Sequence, residues 1–265
     1  MFIKRFLSCL AIIGFVALVV LRFPPFYFAL VCVALIALGL KEFFHFAEKK
    51  DIFIHKISAM IFGLLIPFEG FFQADLSGIL GSLFIVILTC WLFMIQFTRR
   101  YATGSIASCA ATLFGIIYIS YFFSFLIKLR LLTDGAMLVA YLLLVVKSGD
   151  IGAYIFGSTL GRHKLIPRIS PNKSVEGAIG GILVSVTSAV MLRNIIAINL
   201  NESLFLGVVL GALALVGDLA ESILKRDSKL KDSDVIFPGL GGSLDIIDSL
   251  LFTTPVFYAW AILVR

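Results

Sequence analysis

Residues 203–224 read SLFLGVVLGALALVGDLAESIL, fifteen residues without a charge followed by Asp218 and Glu221 three positions apart. About 20 mainly apolar residues in a helix cross the hydrocarbon core of a bilayer. No water is available there, so the backbone must bond to itself, and a helix does this within one segment. Acids near the end of such a run are costly to bury and are a functional hypothesis by default. This stretch therefore reads as a transmembrane helix that carries chemistry close to one membrane face.

The rest of the chain repeats the apolar part of that pattern. Of 265 residues, 60% are apolar and 14% charged, against about 45–50% and about 25% in soluble domains. A single water-facing globule cannot hide that surplus, so an all-α, polytopic integral membrane protein is expected. Disorder, collagen and disulfide scaffolds are excluded by the low charge, the lack of a Gly period and a total of four Cys. Those cysteines, Cys9, Cys32, Cys90 and Cys109, are scattered singly through apolar segments and form no C-x-x-C pair. Nine candidate spans are expected, near 6–22, 25–41, 57–72, 78–97, 103–127, 135–157, 175–192, 203–224 and 245–264. The third is short and holds Pro67 and Glu69, and Pro24-Pro25 separates the first two. No small-x-small cleavage site precedes the second segment, so the first is read as a retained span.

Basic residues set the orientation. With the N-terminus in the cytoplasm, Lys4, Arg5, Lys41, Lys49, Lys50, Lys56, Arg99, Arg100, Arg162, Lys164, Arg168, Lys173, Lys225, Arg226, Lys229 and Lys231 fall inside. Only Arg22, Lys128, Arg130, Arg193 and Arg265 face outward, and Lys147 lies within a span. That bias is the positive-inside rule, and it explains the net charge of +6 better than nucleic-acid binding does. The site is accordingly expected at the cytoplasmic face of the inner cell membrane.

Two cytoplasmic loops concentrate the polar residues. The first holds Gly149-Asp150-Ile151-Gly152-Ala153-Tyr154, Gly161-Arg162-His163-Lys164 and Ser170-Pro171-Asn172-Lys173-Ser174. The second holds Gly217-Asp218, Glu221-Ser222, Lys225-Arg226, Lys231-Asp232, Pro238-Gly239-Leu240-Gly241-Gly242, Asp245 and Asp248. Asp218 with Glu221, and Asp245 with Asp248, have i,i+3 spacing, so each pair projects from one helical face. Carboxylate oxygens suit Mg²⁺, which keeps waters and shares its other positions with substrate phosphates. Asp150 lies about 12 Å inside its span at 1.5 Å per residue, with Lys147 as an alternative partner. The ordinary reading of each acid is an ion pair, as in Glu221 to Lys225 at i,i+4. Five acids at one face make that reading unattractive for all of them, and at least one metal ion is expected.

The basic residues Arg162, Lys164, Lys173, Lys225, Arg226 and Lys231 supply the complement, at headgroup level, for an anionic lipid or a polyphosphate. Gly239, Gly241 and Gly242 could let backbone N–H groups approach a phosphate at the start of the last helix. The pairs Gly157-x-x-x-Gly161, Gly177-x-x-x-Gly181 and Gly207-x-x-x-Gly211 read as helix-packing faces instead. His45, His55 and His163 have no metal-ligand spacing, and no G-x-S-x-G occurs, which disfavours a zinc hydrolase and a serine hydrolase.

With these residues in view, the C-terminal half resembles the phosphatidate cytidylyltransferase, or CDP-diacylglycerol synthase, family. The family's signature is similar to Ser222-x-x-Lys225-Arg226, four residues, Lys231-Asp232, then Pro238-Gly239-x-Gly241-Gly242, then Asp245 and Asp248. The resemblance covers about 145–255 well, while 1–140 matches only as apolar spans with a basic N-terminus. It divides the chain into an N-terminal membrane region, 1–140, and a C-terminal catalytic region, 141–265. Leu240 stands where the family usually has His, and Ile246 where it usually has Arg. Asp234 stands where a small residue is usual, Ser243 replaces an aliphatic, and Ser174 replaces a frequent Thr, the mildest of these changes.

The resemblance implies transfer of CMP from CTP to phosphatidate, giving CDP-diacylglycerol and pyrophosphate for phospholipid synthesis. It implies catalytic work for Asp218, Asp245, Asp248 and Lys225, with those three Asp on Mg²⁺ and Asp150 and Glu221 as further metal candidates. A second cation, for which a monovalent ion is one candidate, follows from the family's di-cation centre. Lys225, Arg226, Lys231, Gly241 and Gly242 are expected on nucleotide phosphates, and Lys173 and Ser174 near the lipid phosphate. CTP, phosphatidate and membrane lipids are the implied partners, without nucleic acid, and the family suggests a homodimer. The rival readings are a CTP-dependent polyprenol or dolichol-type lipid kinase, a transporter, and an inactive membrane scaffold.

Overall fold

In a computed structural model, the described residues are 14–71, 74–98, 103–230 and 241–264, with 74–82 described by backbone alone. The chain is an all-α membrane protein. After a helical stretch over 14–21, the helices are α1 (Pro25–Glu48), α2 (Lys56–Leu65), α3 (Ala74–Phe97), α4 (Ser105–Leu131), α5 (Gly135–Leu160), α6 (Val175–Leu192), α7 (Leu200–Asp227) and α8 (Ser243–Val264). Among the described residues, six are long and apolar enough to cross a membrane: α1, α4, α5, α6 with the turn that follows it, α7 and α8.

The segment expected at 57–72 is a ten-residue helix, α2, followed by a 3-10 turn over Ile66–Phe71. Pro67 has no N–H to continue the α-helical ladder, which explains why the regular helix stops there. Glu69 in this turn faces Lys128 of α4 at 3.3 Å, and both side chains are mostly buried. The segment expected at 78–97 lies within α3, whose residues Leu83–Phe97 form an apolar helix shorter than the six. The expected span at 6–22 is described only from residue 14.

Helix starts follow local chemistry. Proline at the first position of α1 loses no bond, because that N–H has no partner inside the helix. Asn199 accepts from the Glu202 N–H while the Glu202 carboxylate accepts from the Asn199 N–H, a reciprocal cap on α7. Within α4, a π-helical turn over Ile116–Tyr121 interrupts the α-helix and buries Tyr118 and Ile119.

Helices α5, α6, α7 and α8 pack against one another in chain order, and α8 also packs on the second half of α4. Small residues make the close approaches. A Cβ at Gly207 would meet Val186 of α6 at 2.5 Å, and one at Gly211 would meet Ser185 at 3.0 Å. The expected packing role of that Gly pair is thus what the helices show. On the far side, Tyr141 of α5 stacks on Phe257 of α8 with centroids 5.7 Å apart, and Phe257 stacks on Trp260.

The one sheet among the described residues is a hairpin, β1 (Lys164–Ile166) and β2 (Ser170–Ser174), antiparallel, between α5 and α6. It places Lys173 beside α7.

Candidate functional site

The site forms where α5, α7, α8 and the β hairpin converge. On α7, Asp218, Glu221 and Lys225 follow one another at helical spacing and share a face. On α8, Asp245 and Asp248 do the same. One ligand oxygen each from Asp218, Glu221 and Asp248 can be chosen so that all lie within 4.8 Å of one another. Glu221 is 2% exposed and Asp248 6%. Three carboxylates this close repel one another unless protonated or balanced by positive charge, and the structure places two lysines against them.

Lys225 bridges the two helices. Its Nζ donates to Glu221 Oε2 at 2.8 Å and also to Asp245 Oδ1. Lys173, carried in by β2, pairs with Asp218 Oδ2 at 2.5 Å. Asp245 is completed by the Gly242 N–H, which donates to its Oδ2 at 2.9 Å. Gly241 takes φ +91°, the left-handed region where a side chain is strained.

A third lysine serves the α5 side. Lys147 Nζ donates to Asp150 Oδ2 at 3.0 Å and to Ser249 Oγ at 2.8 Å, and the Ser249 hydroxyl donates to Asp150 at 3.2 Å. The Ser249 N–H donates to Asp248 Oδ1 at 2.5 Å. Ser249 thus links the Lys147–Asp150 pair to the acid trio.

A cavity of about 470 Å³ opens beside these groups, lined among others by Gly149, Asp150, Gly157, Lys173, Ser174 and Asp218. Its glycine walls leave room and its lysine supplies charge. Ser174 caps α6, its Oγ accepting from the Gly177 N–H at 3.1 Å. Glu176 accepts from the N–H groups of Arg162 and His163 and from His163 Nδ1 at 2.6 Å. These bonds close the base of the hairpin onto α6.

Among the expected site residues, Asp218, Glu221 and Asp248 come together as a trio, with Asp245 and Lys225 adjoining it. Lys173 and Ser174 both line the cavity. Arg226 is directed elsewhere: its Nε donates to the Ile169 carbonyl at 3.1 Å and its Nη1 to the Leu230 carbonyl at 3.3 Å. It holds the hairpin turn to the end of α7. The Gly242 amide is engaged by Asp245. Lys231, Pro238, Gly239 and Leu240 lie outside the described residues. Ile246, where the resembled family usually has Arg, packs against the apolar core.

Two residues of this region escaped sequence reasoning. Ser249 follows Asp248 directly, and only the fold shows it facing Lys147. Glu42 of α1 is buried against the start of α8; in the sequence it looks like the polar end of a span.

The profile of the cytidylyltransferase family matches residues 3–264. The chain is 32% identical to the phosphatidate cytidylyltransferase of Haemophilus influenzae over 277 aligned positions, covering 96% of each chain. It is 35% identical to the phosphatidate cytidylyltransferase of Staphylococcus aureus strain COL over 184 positions, 69% of this chain and 67% of that one. It is also 40% identical to the Escherichia coli protein YnbB over 125 positions, which spans 47% of this chain and 42% of YnbB.

Proposed function

We propose, from the premise that this chain belongs to the cytidylyltransferase family, that it is a phosphatidate cytidylyltransferase, moving CMP from CTP to phosphatidate to give CDP-diacylglycerol and pyrophosphate. The observation that carries this reading is the meeting of Asp218, Glu221 and Asp248 with Lys225 and Lys173 at one end of the helices. A triphosphate and a membrane-bound phosphate both need positive charge, and both are served at this place.

The donor set fits Mg²⁺. All three nearest groups are carboxylates, the hard oxygen ligands this ion takes, and three protein ligands leave coordination positions for water and phosphate oxygens. Asp218, Glu221 and Asp248 would hold it, with Asp245 and Asp150 adjoining, and the resemblance implies a second cation. Bound there, the cation supplies neutralisation of the triphosphate and of the departing pyrophosphate.

The chain's own part is positioning and charge. Lys173 would leave Asp218 for the lipid phosphate, steering one of its oxygens toward the α-phosphorus of CTP. Lys225 would face the nucleotide phosphates while Glu221 and Asp245 fix its ammonium. The new bond joins lipid phosphate oxygen to the α-phosphorus, and the bond to the β-phosphate oxygen breaks in line, so no protein nucleophile is needed. Ser174 would orient the hairpin and Arg226 would clamp its turn. Lys231, Gly241 and Gly242 complete the nucleotide side in this reading.

The positive-inside bias supports nine spans with a cytoplasmic N-terminus, and a site facing the cytoplasm at the inner membrane. The motif-bearing loops support 141–265 as the catalytic region and 1–140 as its membrane support. A homodimer rests on the resemblance alone.

The test uses purified protein in liposomes containing phosphatidate, with CTP labelled separately at the α- and γ-phosphates. The expected result is Mg²⁺-dependent α-label in lipid and γ-label in pyrophosphate, with both lost in Asp248→Asn. Transfer of γ-label to a lipid would instead identify a kinase.

A further inference from the structure

The start of α8 is held by a carboxylate from the other end of the chain. Glu42 lies on α1 and is 2% exposed. Its Oε1 accepts from the Ser243 N–H and its Oε2 from the Leu244 N–H at 3.0 Å. The first N–H groups of a helix have no partner within it, and a capping side chain usually comes from the residue just before. Here the cap comes from about 200 residues away.

Three further observations show that the contact is built. Gly242 leaves room for it, since a Cβ there would come within 2.8 Å of Glu42 Oε1. The Ser243 hydroxyl donates to the Leu35 carbonyl of α1 at 3.1 Å. Leu244 and Ile247, flanking Asp245, are both fully buried and approach Gly39 of the same helix. A carboxylate at a helix N-terminus is favoured by the charge-assisted bonds and by the positive end of the helix dipole.

What hangs from this anchor is half of the site. Asp245, next to Leu244, holds Lys225, and Asp248, about one turn further, joins Asp218 and Glu221. A helix docked by two bonds at its first turn is fixed in both height and rotation. Losing one bond would loosen that first turn, and with it the two carboxylates it carries.

We infer that Glu42 is a positioning residue of the reaction, a cap from α1 that sets Asp245 and Asp248 of α8 against Asp218, Glu221 and Lys225 of α7. Its effect on catalysis rests on the proposed cytidylyl transfer; its docking of α8 does not. A glutamine keeps the shape but puts an NH₂ against backbone donors, so one of the two N–H groups is left without an acceptor.

The experiment compares full-length wild type, Glu42→Gln and Glu42→Asp in the same liposomes, by hydrogen–deuterium exchange and by initial rates. In Glu42→Gln, exchange at residues 243–248 is expected to rise at least tenfold while α5 and α6 keep wild-type protection. The kcat is expected to fall at least 30-fold with KM for CTP and for phosphatidate within threefold, and Glu42→Asp to recover at least fivefold over Gln. An unchanged kcat in Glu42→Gln overturns the inference, as does a rate loss matched by loss of protection throughout the protein. Should wild type transfer no CMP at all, the functional reading fails, and the exchange arm alone decides: unchanged protection at 243–248 in Glu42→Gln overturns the docking, and faster exchange confined there supports it.

Discussion

Lys173 pairs with Asp218 at 2.5 Å, tying a five-residue strand outside the helices to a carboxylate on a transmembrane helix. In the proposed reaction the phosphatidate phosphate would replace Asp218 as the partner of the ammonium, and the carboxylate would be freed for a cation. That exchange of partners would couple binding of lipid to binding of cation.

That exchange makes Lys173→Met a lipid-side variant. Its KM for phosphatidate is expected to rise on the order of 10- to 100-fold, the loss of about 1.4–2.8 kcal/mol that one charge-assisted contact can carry. The KM for CTP should stay within about threefold. Steady-state kinetics with each substrate varied in turn check this, and an equal rise for CTP would show that Lys173 serves the nucleotide instead.

The acid trio predicts metal dependence. Chelation should abolish transfer, and Mg²⁺ should restore it. Asp218→Asn and Asp248→Asn should each cost at least about 10³ in kcat, because preorganised charge at the reacting phosphates is commonly worth several kcal/mol. Glu221→Gln also removes a partner of Lys225, so it should lower activity while raising the Mg²⁺ concentration needed for half-maximal rate. Titrations of rate against Mg²⁺ for the three variants test the trio, and a chelator-resistant rate would remove the metal from the reading.

Arg226 stands beside Lys225 in the sequence but performs a different task in the fold. Its guanidinium bonds to the Ile169 and Leu230 carbonyls, so Arg226→Met should loosen the hairpin. The expected outcome is faster proteolysis between residues 162 and 174 and a raised KM for phosphatidate, with kcat within about threefold. Limited proteolysis and kinetics together check this. A large rise in KM for CTP with an intact hairpin would restore the nucleotide role expected from the motif.

These contrasts show what the sequence could and could not disclose. The long helices were legible because hydrocarbon leaves the backbone no alternative to bonding within each apolar run. Asp218, Glu221 and Asp248 were legible because i,i+3 spacing places acids on one face, a local rule. Arg226 looks like a phosphate ligand because its neighbours define a motif, while its guanidinium bonds the Leu230 carbonyl four residues on and the carbonyl of Ile169 in a turn 57 residues away. Glu42 was invisible for the same reason: its partners are 201 and 202 residues distant, and one acid among the polar residues ending a span has no period to betray it. The hairpin is equally hard to read, since Ser170-Pro171-Asn172 has low strand propensity, and the bonds that fix the hairpin run from Glu176 to Arg162 and His163 and from Arg226 to Ile169.

The Lys147–Asp150–Ser249 group offers a test of whether Asp150 serves the metal or only its lysine. Asp150 accepts from both Lys147 and Ser249, and Ser249 also donates its N–H to Asp248. If the lysine exists to hold Asp150, then Lys147→Met leaves a carboxylate without its cation, and activity should fall about tenfold or more. Replacing the acid too, in Lys147→Met/Asp150→Asn, should then recover part of that loss, because the charge that lacked a partner is gone. If Asp150 also binds metal, Asp150→Asn alone should be nearly as damaging as Asp248→Asn, and the double variant should show no recovery. The four rates of this cycle, measured at saturating and at limiting Mg²⁺, separate the two roles: recovery independent of Mg²⁺ assigns Asp150 to the lysine, and a deficit that deepens as Mg²⁺ falls assigns it to the cation.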